Sequence, residues 1–299
     1  MGNTCVAMGK RNTCVAMEME STETTIVGGI NVLPEECLSH VISLTNPRDA
    51  IVSSAVSRTF QSAADSDATW ERFLPSDYAS ILSRAVRPVE YASKKELFFR
   101  LCDHPVLIDG GRMSFGLEKS SGAKCFMISA RALSIVWGDD KRYWKWIVLP
   151  KNPNSSRFIE CAKLKNVCWL EICGNIDSKI LTPDTVYAAY LIFKLARNTF
   201  GLCEPFQRTI ITLAGNVVSE HFVCLNTRVE NPRWDNRPLP RRDVILPTER
   251  QYGWLEVKLG EFYNEDGIDG EVNISLTEIK GGHWKNGLIV QGIEVRPTN

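Results

Sequence analysis

The sequence contains no apolar run of about 18 residues, so it offers no helix able to span a bilayer. Its first residues lack the apolar core of a secretory signal, which leads us to expect a cytosolic or nuclear protein. There is no excess of charge of either sign. Lys plus Arg total 35, Asp plus Glu total 35, and the formal net charge is zero. That balance speaks against nucleic-acid binding by phosphate neutralisation and gives no support for a polybasic membrane contact. The four histidines have no metal-ligand spacing, so no zinc site and no cofactor are expected. None of the ten cysteines stands in a C-x-x-C pair, and in a reducing compartment they read as small buried hydrophobes. The sequons at Asn154 and Asn273 should then stay unglycosylated. A Gly-rich phosphate loop and a Ser-His-Asp or Cys-His signature are also missing, so no catalytic residue and no enzyme are expected.

What is present is 299 residues, 44% of them hydrophobic, enough for about two domains with real cores. Residues 1–28 read as a flexible leader. It carries a direct repeat, Asn3–Met8 and Asn12–Met17, with no amphipathic pattern. Gly2 with Cys5 resembles an acylated N-terminus, but Val6 stands where a myristoylation pattern wants Ser or Thr.

Residues 31–78 read as short helices. Pro34 before Glu35 and Glu36 sets a first turn whose carboxylates suit the helix dipole, and Leu38, Val41 and Ile42 follow at helical spacing. Asn46-Pro47-Arg48-Asp49 opens a second helix with Asn as cap and an apolar stripe of Val52, Ala55, Val56 and Phe60. A third starts at Ser66 with Trp70, Phe73 and Leu74 on one side. Within residues 79–107, a helical linker, Ser93-Lys94-Lys95-Glu96 makes a capping box.

After Asp109-Gly110-Gly111 the period changes from helical to two. Val167–Gly174 alternates, and Tyr187–Leu195 is apolar on both faces, as a central strand is. Residues 254–259, 272–279 and 288–295 are further strands. Many short strands with polar turns imply a sandwich or barrel. Asn226–Glu249, rich in Pro and Arg and containing Trp234, reads as a long loop and a candidate protein contact.

A helical unit this small cannot bury much surface alone, so its apolar stripes must pack on another chain, on the following helices, or both. Leu33-Pro34-Glu35-Glu36, Asn46-Pro47-Arg48-Asp49, Val56-Ser57-Arg58-Thr59-Phe60 and Trp70 resemble the F-box pattern over residues 29–78. The resemblance implies binding of a Skp-type adaptor, which bridges to a cullin scaffold, with Leu33, Pro34, Ile42 and Val56 on the adaptor-binding surface. The alternative is a small helical cap on the β domain.

From residue 108 to the end the chain resembles the Nictaba-like (tobacco agglutinin) and phloem-lectin family. The matching pieces include Leu133-Ser134-Ile135-Val136-Trp137, Tyr143-Trp144-Lys145-Trp146, Val167-Cys168-Trp169-Leu170-Glu171-Ile172, Gly253–Phe262 and Trp284-Lys285-Asn286-Gly287. The implied fold class is multidomain α+β: a small all-α F-box followed by an all-β, jelly-roll-like sandwich. The family binds N-acetylglucosamine oligomers and related glycans such as N-acetyllactosamine. Its two Trp and two Glu carry over to Trp137, Trp144, Glu271 and Glu278. A Trp ring offers a flat platform to a sugar's C–H face, and carboxylates accept hydroxyl hydrogen bonds. The alternative for each Trp is a core residue. Glu278 falls in phase with Val272, Ile274 and Leu276, on the apolar face, and Glu271 on the polar one. A straight strand would separate the two by about 23 Å.

The resemblances together imply a substrate receptor of a ubiquitin ligase that recognises client glycoproteins. The competing readings are a lectin or phloem-type protein uncoupled from ubiquitylation, and a glycosidase using Glu271 and Glu278. The last would need carboxyls about 5–9.5 Å apart.

Overall fold

The computed structural model describes residues 33–149, 156–227, 243–266 and 270–298. The leader and its repeat, and Trp234 with the loop around it, lie outside the described residues. Among those described, no helix is long and apolar enough to cross a membrane.

Among the described residues six helices come first: α1 (Glu35–Ser43), α2 (Pro47–Ser53), α3 (Arg58–Asp65), α4 (Asp67–Phe73), α5 (Tyr78–Ser83) and α6 (Lys94–Asp103). Side-chain caps set their starts. Asn46 Oδ1 accepts from the Asp49 amide at 2.9 Å, and Ser66 Oγ accepts from Thr69 at 3.3 Å. Ser93 Oγ accepts from Glu96 at 3.1 Å, while the Glu96 carboxylate reaches the Ala92 amide rather than that of Ser93. The stripe expected of one helix through Val52 and Phe60 is divided between two. The chain leaves α2 at Ser54, and Ser57 caps α3 by accepting from the Phe60 amide. The break turns Val52 and Val56 outward, each 64% exposed.

The core of this unit is Trp70. Its ring centroid lies 5.2 Å from those of Phe98 and Phe99 and 5.4 Å from that of Phe73, and its indole N–H donates to Ala64 O. Phe98 belongs to α6, so the later helices supply the apolar surface that the first four lack.

Among the described residues the β part has fifteen strands, β1 (Val106–Ile108), β2 (Met113–Leu117), β3 (Lys124–Ser129), β4 (Ser134–Ile135), β5 (Trp144–Val148), β6 (Glu160–Leu164), β7 (Leu170–Asp177), β8 (Thr185–Phe200), β9 (Gln207–Leu213), β10 (Asn216–Val223), β11 (Val244–Ile245), β12 (Thr248–Glu249), β13 (Leu255–Asn264), β14 (Glu271–Glu278) and β15 (Asn286–Pro297). One sheet runs β1-β2-β3-β15-β8-β13-β12, with β6 and then β5 attached at β15. The other runs β11-β10-β9-β14-β7-β4. The expected central strand 187–195 lies in β8, flanked by β15 and β13, which accounts for its two apolar faces. The two inner faces enclose one core with Ile172, Ile274, Leu276, Leu191 and Ile293.

That core is continuous with the helices. Gly122, at φ +74°, lets the backbone turn so close to α4 that a Cβ there would meet the Phe73 carbonyl at 2.6 Å. Lys124 Nζ contacts Asp77 Oδ2 at 3.0 Å, and the Val86 amide donates to Leu107 O. On the far side of the first sheet, Glu294 is buried among Arg157, Arg250 and Arg296 at 2.6–2.7 Å, with Glu256 sharing two of the arginines.

Candidate functional site

Two surfaces concentrate the residues with chemical potential. On the helices, Val41, Leu44, Ile51, Val52 and Val56 are between 41% and 64% exposed. Five large apolar side chains within sixteen residues of chain make an unusual surface for a folded protein. Leu33 is 41% exposed and Pro34 is exposed as well. Ile42 is not on this surface. It is 3% exposed and belongs to the core with Leu38, because positions 38 and 42 share the inward face of α1 while Val41 and Leu44 face out. Val41, Val52 and Val56 were legible as helical apolar residues and Leu44 and Ile51 were missed, but spacing alone cannot tell an inward stripe from an outward one.

The second surface lies at one end of the six-stranded sheet. The Val136 amide donates to Glu171 O at 3.1 Å, continuing the β4–β7 pairing by one residue. Trp137 follows at φ +58°, a left-handed conformation that is a genuine outlier for a bulky side chain. Its ring is 42% exposed and lies against Tyr143, centroids 4.8 Å apart. Trp169 is equally exposed, and its indole N–H donates to Glu171 Oε2 at 2.9 Å. Trp169 and Glu171 therefore share the outer face, in antiphase to buried Leu170 and Ile172. That antiphase was visible in the sequence and would have added both residues to the site.

Trp144 has the opposite environment. It is 2% exposed, and its indole N–H donates to Val136 O at 3.2 Å, so the ring sits beneath the segment that carries Trp137. Trp146 lies under the Arg131 guanidinium, 3.7 Å from ring to Cζ.

Glu271 and Glu278 sit at opposite ends of β14. The strand is paired without a break to β7 through both of them, so no bulge brings the carboxylates together. Glu271 is exposed and Glu278 is 5% exposed. Strand rise alone separates them by about 23 Å, far outside the spacing of a glycosidase pair. Glu278 is ion-paired to Lys285, which has no exposed surface. The Lys285 ammonium also donates to Cys168 O at 3.2 Å and His283 O at 2.6 Å. These two carbonyls precede Trp169 and Trp284, both exposed. The Val167–Lys285 bridge holds the two loops together from the other side.

No group of three His, Cys, Asp or Glu among the described residues is arranged for a metal ion. Burial, helped by nearby Glu171, raises the Cys173 thiol above its ordinary value, which keeps it protonated and unreactive.

A two-sheet β domain with exposed tryptophans, preceded by capped helices with an exposed apolar face, makes up the described residues. Family models match both parts: an F-box-like model over residues 30–76 and the phloem protein 2 model over residues 123–297. Curated relatives from Arabidopsis thaliana include F-box protein At2g02240, 46% identical over 90% of this chain and 80% of its own length. F-box protein PP2-B10 is 43% identical over 89% of this chain and 93% of its own length, and putative F-box protein PP2-B2 is 43% identical over 94% and 88%. The chain belongs to the phloem protein 2 family and carries an F-box-like segment ahead of the phloem protein 2 match.

Proposed function

We propose that this protein is the substrate receptor of a cullin-based ubiquitin ligase, working in the cytoplasm or nucleus. The helices bind a Skp-type adaptor and the β-sandwich binds a glycan on client glycoproteins. The observation that carries the first half is the outward apolar face of Val41, Leu44, Ile51, Val52 and Val56. A complex formed there removes a solvated apolar patch from water, about 25 cal/mol for each Å² covered. Leu33 and Pro34 extend the exposed apolar set, and Ile42 contributes by packing α1 from behind.

For the sandwich, the strained backbone at Trp137 supports the sugar reading. Non-glycine residues held at positive φ cost about 1–3 kcal/mol and gather at binding sites, where the strain aims a side chain. Trp137 on Tyr143 offers one exposed aromatic face, and Trp169 offers a second whose indole N–H donates to the Glu171 carboxylate. Trp144 supports this cluster through Val136, and Glu278 supports it through Lys285. Such a receptor acts by raising the local concentration of a client lysine near the conjugating enzyme and needs no catalytic residue of its own.

The test is co-expression of the full chain with a Skp-type adaptor. A stoichiometric complex is expected, and Leu33→Ala with Pro34→Ala, or Val52→Asp with Val56→Asp, should disperse it. An adaptor that never co-elutes with the wild type leaves a lectin uncoupled from ubiquitylation.

A further inference from the structure

The outer face of the six-stranded sheet extends well beyond the aromatic cluster. On β14, Asn273 and Thr277 point outward, half-buried, while Ile274, Leu276 and Glu278 face in. The register sets Thr277 opposite Glu171, and Asn273 opposite both Asn175 of β7 and Thr212 of β9. The result is a track from Trp169 and Glu171, across a middle row of Ile210, Ser275 and Cys173, to a polar cross-strand row of Thr212, Asn273 and Asn175. Along β7, the four steps from Glu171 to Asn175 cover about 14 Å.

Three properties decide what can lie there. The Asn175 and Asn273 amides have no hydrogen-bond partner among the described residues, so four donors and two carbonyl acceptors stand ready for an incoming ligand. The backbone of β14 is paired on both sides, to β7 and β9, so an extended peptide finds no free main-chain groups to add to. The charges are wrong for an anion. Arg208 is taken by Glu220 at 2.8 Å, while Glu171, Asp177 and Glu271 all lie on this face. A phosphate, sulfate or uronate chain would meet net negative charge.

We infer that the face running from Trp169 and Glu171 to Asn175 and Asn273 is an extended subsite for a linear, uncharged glycan several sugars long. This inference rests on the sugar-binding reading of the sandwich. The aromatic cluster grips one ring, and the amide row hydrogen-bonds hydroxyl or acetamido groups of rings further along. A pleated surface with polar groups at strand spacing fits an elongated chain better than a single sugar.

The experiment titrates the full chain with N-acetylglucosamine oligomers of one to six residues. Affinity should rise at least tenfold between the dimer and the tetramer. Asn175→Ala with Asn273→Ala should abolish that rise and leave dimer binding unchanged, whereas Trp169→Ala should weaken every oligomer. An unchanged melting temperature shows that the paired variant is folded, and the single variant Asn175→Ala, at an exposed position, should lose part of the same gain. Dimer and tetramer binding equally to the wild type, or an undiminished rise in the paired variant, overturns the extended subsite alone. A wild-type chain that binds no oligomer overturns the sugar-binding reading, and the inference with it.

Discussion

Glu278 and Lys285 form an ion pair sealed inside the end of the sandwich, the glutamate 5% exposed and the lysine 0%. Two charges taken out of water stay stable only when both are fully satisfied, and the lysine has two backbone carbonyls besides its carboxylate. The pair ties the loops of Trp169 and Trp284 together.

Removing one partner should therefore be far worse than removing both. Lys285→Met leaves a buried carboxylate unpaired and should cost about 3–5 kcal/mol. The double variant Lys285→Met with Glu278→Leu should be less destabilised than Lys285→Met alone. Urea unfolding midpoints give the comparison. If Glu278 contacted sugar directly, Glu278→Gln would instead abolish binding with no loss of stability.

The two tryptophans carried over from the family pattern should separate. Trp144→Ala empties a buried site and should cost about 3–5 kcal/mol. Trp137→Gly should leave the fold intact or stabilise it by about 1 kcal/mol, because glycine takes positive φ without strain, and it should abolish glycan binding. Thermal melts and a glycan array check both variants. Unfolding by Trp137→Gly would make that residue core.

Three arginines should make the fold acid-sensitive through Glu294. Burial alone would raise that carboxyl's pKa, but Arg157, Arg250 and Arg296 overcome it and hold the group at about 2, against an ordinary 4.5. A carboxyl with a depressed folded pKa contributes stability above its unfolded pKa and loses it as pH falls through the folded one. The contribution is on the order of 3 kcal/mol at neutral pH and should disappear between about pH 4.5 and 2. Glu294→Gln should flatten denaturant midpoints across that window relative to the wild type.

Much of this was legible in the sequence. Asn46, Ser66 and Ser93 announced helix starts because capping is local chemistry. Strand phase placed Glu278 inside and Glu271 outside for the same reason. What stayed hidden depends on contacts far apart in the chain. The identical indoles of Trp137 and Trp144 divide between surface and core through the turn at residues 137–140. The outward turn of Val52 and Val56 follows from the break at Ser54–Ser57, where one apolar stripe looked continuous. The joining of helices to sandwich depends on Gly122, whose need for positive φ shows only when Phe73 is packed behind it.

That joining predicts one cooperative unit. Calorimetry of the full chain should show a single transition for helices and sandwich, and Gly122→Val should lower it as a whole, since the new side chain meets backbone at Phe73. Two separate transitions would mean that the shared core contributes little.

The same shared core makes deletion of the helices a poor probe of the receptor claim, and point changes at Val52 and Val56 a good one. The most direct measurement is the half-life of proteins captured by the sandwich, in cells expressing either the wild type or Val52→Asp with Val56→Asp. Both positions are 64% exposed, so folding should hardly change, while the loss of two central contacts should weaken adaptor binding by about 2 kcal/mol or more. The variant should still capture its clients, and those clients should become long-lived and lose ubiquitylation. Equal turnover with wild type and variant, with adaptor binding lost in the variant, would contradict the receptor role.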